Sequence, residues 1–287
     1  MSPIPTPDPN QHLSHTTITL SSGTIAHKWT PNHPPTATIV LQHGYAEYAC
    51  RYLDSHHNLI HHFLHAHYTV YAMDIWGHGS SPGTRAVAHV GKAVTDHIEL
   101  RRLAASPGLR VILFGHSLGG LITAGSVAKD STSRVDGVIL TGPALPGPFP
   151  YVARLVFGAV ARCIPAVSVP GRRGDIAGLT RSQVEIDKYF SDPLFYKKGI
   201  CFLLAATALD EADNVRARVK AWTVPTLVLH GDSDTYCEWE ASEKFVRGIA
   251  SQDKEFGVYE DGRHELLHDL EGDAVLERVM KWIEGRV

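Results

Sequence analysis

Short apolar runs, separated by turn-forming residues and by longer amphipathic stretches, recur along the whole chain. Ala37–Leu41, Thr69–Met73, Val111–Phe114, Val135–Leu140, Pro225–Leu229 and Phe256–Tyr259 are rich in β-branched and aromatic residues. Runs of this length predict buried strands. Thr16–Leu20 and Thr24–Trp29 flank Ser21-Ser22-Gly23 and predict a hairpin. Between the strands the period changes. Val90, Val94 and Ile98 lie four apart, and Val275, Leu276, Val279, Met280 and Ile283 form a helical stripe. A single helix is predicted from Arg51 to His65, with Leu53, Leu59, Ile60, Phe63 and Leu64 on one side. Strands alternating with helices predict an α/β fold: a mostly parallel central sheet with helices on both faces.

The alternation stops between Ala144 and about Arg218. This stretch opens on a Pro/Gly cluster (Pro143, Pro146, Gly147, Pro148, Pro150) and is too long for a loop between adjacent strands. It predicts an inserted helical cap over residues 144–218, with residues 1–143 and 219–287 forming the core. Arg154, Arg162 and Pro165 interrupt the apolar segment Tyr151–Val169, so it is no membrane span. It reads as an amphipathic lid that packs its apolar side over a pocket, with peripheral contact to lipid as the alternative.

Composition narrows the function classes. The 287 residues are 44% hydrophobic and 20% charged, with a formal net charge of −3. No basic excess points to nucleic acid as a partner. Cys50, Cys163, Cys201 and Cys237 are scattered, with neither C-x-x-C nor metal spacing, and read as free thiols in a reducing compartment. Met1–Asn10 is Pro-rich without a basic or apolar region; it reads as a disordered lead-in, and cytoplasmic residence is the default expectation. Asp54, His57, His61 and His65 share one helical face at spacings that would suit a metal. The apolar residues opposite them make this the solvated face instead, and neither metal nor cofactor is expected.

The chemistry is concentrated at strand ends. Val111–Phe114 runs into Gly115-His116-Ser117-Leu118-Gly119, a G-x-S-x-G turn leading into a helix. A serine on so sharp a turn needs small residues two before and two after it, and its hydroxyl is then exposed at the carboxyl end of the strand. A hydroxyl becomes a nucleophile only when a base takes its proton and a third group orients that base. His230-Gly231-Asp232-Ser233-Asp234 follows one late strand, and Glu260-Asp261-Gly262-Arg263-His264 follows the next. The order Ser117…Asp234…His264 is that of the α/β-hydrolase arrangement. Asp234 is favoured over Asp232 because one more residue of loop lets it turn back toward the histidine. His264 is favoured over His268, which reads as a packing or surface residue. The oxyanion donors are expected to be the N–H groups of Leu118 and of Tyr45, the latter after the Ala37–Leu41 strand.

With these residues placed, the chain resembles the monoacylglycerol lipase/lysophospholipase group of α/β-hydrolases, with a serine aminopeptidase S33-type domain. The resemblance rests on His43-Gly44-Tyr45-Ala46-Glu47 with Arg51-Tyr52, on Asp74-Ile75-Trp76-Gly77-His78-Gly79-Ser80-Ser81, on Gly115–Gly120, on the Asp234 and His264 loops, and on Ser191-Asp192-Pro193-Leu194. It implies an α/β-hydrolase with an inserted cap that hydrolyses small-molecule carboxylic esters without a cofactor and rests its cap on a membrane. Cys237 matches a cysteine that such lipases carry beside the site. The family's H-G-x-G-E-H is here His43-Gly44-Tyr45-Ala46-Glu47-Tyr48, which predicts a narrower or more polar pocket beside the oxyanion hole. Acyl transfer, lactone or peptide cleavage with the same three residues remain open, as does a non-catalytic binding module. Glu47 and Arg51 could steady the oxyanion turn or form a plain surface ion pair.

Overall fold

The computed structural model describes residues 14–171 and 175–287; the Met1–Asn10 lead-in and part of the Gly171–Gly174 turn lie outside them. In chain order the elements are β1 (Ser14–Thr19), β2 (Ile25–Thr30), β3 (Ala37–Gln42), α1 (Arg51–Asp54), α2 (Leu59–His65), β4 (Tyr68–Met73), α3 (Val90–Ala104), β5 (Arg110–His116), α4 (Leu118–Lys129) and β6 (Gly137–Thr141). Then come α5 (Tyr151–Cys163), α6 (Gln183–Ser191), α7 (Phe202–Arg218), β7 (Thr226–Gly231), α8 (Trp239–Gly248), β8 (Lys254–Tyr259) and α9 (Gly272–Glu284). The eight strands form one sheet in the order β1-β2-β4-β3-β5-β6-β7-β8. β1 and β2 pair antiparallel, as do β2 and β4; every later pairing is parallel.

The inner strands are buried on both faces, which is why they read as continuous apolar runs. Along β5, Val111 and Leu113 enter a core shared with α3, α4 and α7. Ile112 and Phe114 enter the opposite core with α2 and α9. The predicted stripes Val90–Val94–Ile98 and Val275–Ile283 are buried on these two faces. Tight packing on both sides leaves the carboxyl ends of β3, β5, β7 and β8 to present their loops at one edge.

Between β6 and β7 the chain carries α5, α6 and α7. Leu204, Ala212 and Val215 tie α7 to the core beside α3 and α4. In α5 only part of the apolar side faces inward. Phe157 packs against Phe149 and Phe202, whereas Tyr151, Val152, Leu155 and Val156 are 56–74% exposed. The segment thus packs Phe157 over a cavity, as one reading of it expected, and turns Tyr151, Val152, Leu155 and Val156 to solvent. No helix among the described residues is long and apolar enough to cross a membrane.

The single helix expected over Arg51–His65 is broken. His56, His57 and Asn58 all adopt left-handed backbone conformations (φ of 52, 55 and 51°) between α1 and α2. Of the face predicted to be solvated, Asp54 and His65 are exposed and His57 half-buried, while His61 is buried, as are His56 and His62 beside it. The break turns the His56 side chain inward to Glu47 Oε2 (2.9 Å), a polar demand that hydrophobic periodicity does not register.

Candidate active site

Ser117 sits between β5 and α4 with φ 52° and ψ −121°. The turn holds because its neighbours are glycines. A Cβ on Gly115 would stand 2.6 Å from Thr123 Oγ1, and one on Gly119 would stand 2.2 Å from the Gln42 carbonyl oxygen. The backbone is pinned by Ser117 N–H donating to Thr141 O (3.0 Å) and Ala144 N–H donating to Ser117 O (2.9 Å).

The structure brings the three predicted side chains together. Ser117 Oγ is 2.8 Å from His264 Nε2, and His264 Nδ1 is 2.7 Å from Asp234 Oδ2. A carboxylate only accepts, so Nδ1–H donates to Asp234 and Nε2 is left to accept the Ser117 hydroxyl. Asp234 is further fixed by N–H donors from Tyr236 (2.7 Å) and Cys237 (3.0 Å) to Oδ1. Asp232 is exposed and contacts only Ser233 Oγ through its carboxylate (3.3 Å).

His230 is a participant that the sequence reading did not single out. Its Nε2–H donates to Asp234 Oδ2 (2.9 Å), and its Nδ1 accepts from Ser242 Oγ (2.8 Å). The signal was available: His230 closes the apolar run Leu227–Leu229 and precedes Asp234 by four. Burial disfavours the Asp234 charge, but His264, together with the hydrogen bond from His230, outweighs it and holds the carboxyl well below its usual range. Burial likewise disfavours a charged His264. The Asp234 carboxylate and its hydrogen bond win, and the imidazole is raised above its ordinary value.

Tyr45 and Leu118 flank the serine. Among the described residues neither of their backbone N–H groups has a hydrogen-bond acceptor. The Tyr45 turn is held from below. Glu47 Oε1 accepts from Gly44 N–H (2.6 Å) and from Tyr52 OH (2.8 Å), and Glu47 Oε2 accepts from Arg51 Nη1 (2.8 Å). Arg51 Nη1 also reaches Glu265 Oε1 (3.2 Å), and His268 Nδ1 donates to Glu265 Oε2. Glu47 is 2% and Arg51 6% exposed, so this is a buried network that joins the Tyr45 turn to the His264 loop. His268 is one of its members and lies apart from Ser117. Burial disfavours the Glu47 carboxylate, yet His56 and Arg51 keep its pKa well below the normal range.

Two cavities meet at Ser117. One, of about 590 Å³, is apolar and is lined by Leu118, Leu145, Phe149, Phe157, Leu204 and Leu209 among others. The other, of about 250 Å³, mixes aromatic walls (Tyr189, Phe195, Tyr196) with Glu265, Lys197 and Lys198. Tyr45 borders both, and its hydroxyl donates to the Gly199 carbonyl (3.0 Å). Cys237 lines the apolar cavity, where burial and then the Asp234 charge push its thiol well above the usual value, so it stands as a neutral filler.

Residues 33–271 match the profile of the family described as serine aminopeptidase, S33. The chain belongs to that family. It is 32% identical to a monoacylglycerol lipase of Mycolicibacterium smegmatis, over 89% of this chain and 90% of that protein. It is 30% identical to a monoglyceride lipase of Homo sapiens, over 99% of this chain and 95% of that protein. Among solved structures, the monoacylglycerol lipase of Paleococcus ferrophilus superposes with a TM-score of 0.79 at 25% identity, covering 96% of this chain and all of the other. The fold is thus the α/β-hydrolase fold. Within the family's pattern this chain places Ala46 at a backbone φ of 73°, a conformation that suits glycine.

Proposed function

We propose that the protein is a serine carboxylic-ester hydrolase of the monoacylglycerol lipase type, acting through an acyl-enzyme on Ser117. The observation that carries this reading is the continuous hydrogen-bonded line Ser117–His264–Asp234 at the mouth of an apolar cavity. The Ser117 oxygen attacks the ester carbonyl while His264 Nε2 takes its proton, and Asp234 stabilises the resulting imidazolium. The N–H groups of Tyr45 and Leu118 receive the developing oxyanion, each donor contributing about 3–4 kcal/mol. His264 then protonates the departing alcohol and activates a water to release the acid.

The acyl chain occupies the 590 Å³ apolar cavity, and the alcohol occupies the smaller, more polar one beyond Tyr45. Residues 144–218 act as a cap anchored by α7, and the outward Tyr151, Val152, Leu155 and Val156 rest on the lipid surface that supplies the ester. The names of the similar proteins favour a glycerol monoester as substrate. The test is a chain-length series of p-nitrophenyl esters and monoacylglycerols on the purified protein. Turnover of monoacylglycerols, lost in Ser117→Ala, is expected; hydrolysis confined to acetyl esters would overturn the acyl-cavity assignment.

A further inference from the structure

Beside Asp74, three side chains converge that the reaction does not use. His15 on β1, His27 on β2 and Cys50, just before α1, place Nε2, Nδ1 and Sγ within 4.8 Å of one another. The strand register explains the pairing. Thr17 faces His27 and His15 faces Trp29, so all four side chains project from one face of the hairpin. His15 Nε2 and His27 Nδ1 are 3.0 Å apart, and Cys50 Sγ is 3.8 Å from His27 Nδ1.

From these contacts, the geometry points to a zinc(II) site with His15 Nε2, His27 Nδ1 and Cys50 Sγ as ligands and the fourth position open to water. Tetrahedral zinc, with Zn–N of about 2.0–2.1 Å and Zn–S of about 2.3 Å, sets ligand atoms about 3.3–3.6 Å apart. The separations of 3.0 and 3.8 Å bracket that range and the third lies within 4.8 Å, so side-chain adjustments of about 1 Å suffice; His15, exposed but stacked on His27 and Trp29, makes them by sliding along those rings. The supporting carboxylate is also in place. Buried His27 donates Nε2–H to Asp74 Oδ2 (3.1 Å), which turns Nδ1 toward the other two ligands. A carboxylate behind a ligating imidazole is the recurrent arrangement that fixes tautomer and ring orientation. Asp74 is itself held by N–H donors from Ser80 (2.6 Å) and Ala49 (2.8 Å), the latter adjacent to Cys50. Two imidazoles and a thiolate suit a borderline-soft ion rather than magnesium or calcium. Binding sends to solvent the Cys50 thiol proton and the proton shared between His15 Nε2 and His27 Nδ1, and leaves His15 as its Nδ1–H tautomer and His27 as its Nε2–H tautomer. The metal then ties the edge hairpin to the segment that follows the Tyr45 turn.

The experiment is a zinc(II) titration of the chelator-treated full chain by calorimetry, with cobalt(II) as a spectroscopic replacement. The expected result is one ion per chain, a thiolate-to-cobalt charge-transfer band, and an unfolding midpoint raised by about 5 °C when free zinc is a hundred times Kd. His15→Asn and Cys50→Ser, both checked for an unchanged far-ultraviolet dichroism spectrum, are expected to weaken binding at least tenfold, and Cys50→Ser to remove the band. No stoichiometric binding, or binding and band unchanged in both variants, would overturn the site. Because the readout is metal occupancy, it is independent of whether Ser117 hydrolyses esters.

Discussion

Replacing Glu47 with glutamine tests whether the Tyr45 turn rests on a buried charge network or on an ornamental ion pair. Glu47 accepts from Gly44 N–H, Tyr52 OH, Arg51 Nη1 and His56 Nε2, all within 2.9 Å. Glutamine keeps the shape but offers one oxygen, so at least one pair of donors then faces an amide N–H₂. A surface pair would contribute at most about 1 kcal/mol. Breaking a buried pair while leaving its partner in place costs about 3–5 kcal/mol, and Arg51 would retain only Glu265. Urea unfolding at pH 7 is therefore expected to show a loss of about 3–5 kcal/mol. The folded variant should also lose about tenfold or more in kcat, since release of Gly44 N–H frees the neighbouring Tyr45 donor, and full loss of one oxyanion donor costs about 10²–10³. The pH dependence carries its own sign. Glu47 is depressed in the folded state, so its contribution is present above the unfolded carboxyl pKa of about 4.3 and is lost as pH falls below it. The gap between wild type and Glu47→Gln should narrow in acid. A stability change under 1 kcal/mol with unchanged kcat would refute the network's role.

Other perturbations bear on separate parts of the site. Asp234→Asn should lower kcat by about 10⁴. The acid limb of kcat/KM, expected above about pH 6.5 in the wild type because Asp234 raises His264, should move down in the variant; an unmoved limb would mean that His264 is not the titrating base. Ala46→Gly relieves a left-handed alanine worth about 1–3 kcal/mol against about 0.4–1 kcal/mol of added unfolded-state entropy. A net gain of about 1 kcal/mol in urea unfolding is expected, and a loss would show that the Ala46 methyl packs more than it strains. Gly119→Ala drives a Cβ to 2.2 Å from Gln42 O and 2.4 Å from His43 O. Displacement of α4 from β3 should cut both stability and ester turnover, and wild-type values for both would contradict the stated reason for the glycine.

Much of this was legible in the sequence because the parallel strands are apolar on both faces and therefore announce themselves as runs. The loops at their carboxyl ends carried the G-x-S-x-G turn and the Asp234 and His264 positions in order. The segment around His56 was not legible. Leu53, Leu59, Ile60, Phe63 and Leu64 satisfy helical spacing, but the fold spends three left-handed residues to bring His56 under Glu47. Periodicity records where apolar side chains go and is blind to buried polar partners distant in sequence, such as Glu265 and His268. His230 stood in plain view at the end of an apolar run, four residues before Asp234, but spacing alone did not say that its Nε2–H would meet the carboxylate. The outward half of α5 shows the converse, since an amphipathic pattern does not say which phase its apolar side meets.

The measurement closest to the central claim is the reactivity of one hydroxyl. Wild-type protein should be labelled by a fluorophosphonate at Ser117 and should hydrolyse a p-nitrophenyl ester. Ser117→Ala should keep the wild-type unfolding midpoint, resist labelling, and lose turnover by a factor on the order of 10⁶. Undiminished ester turnover in a folded Ser117→Ala variant would contradict the account.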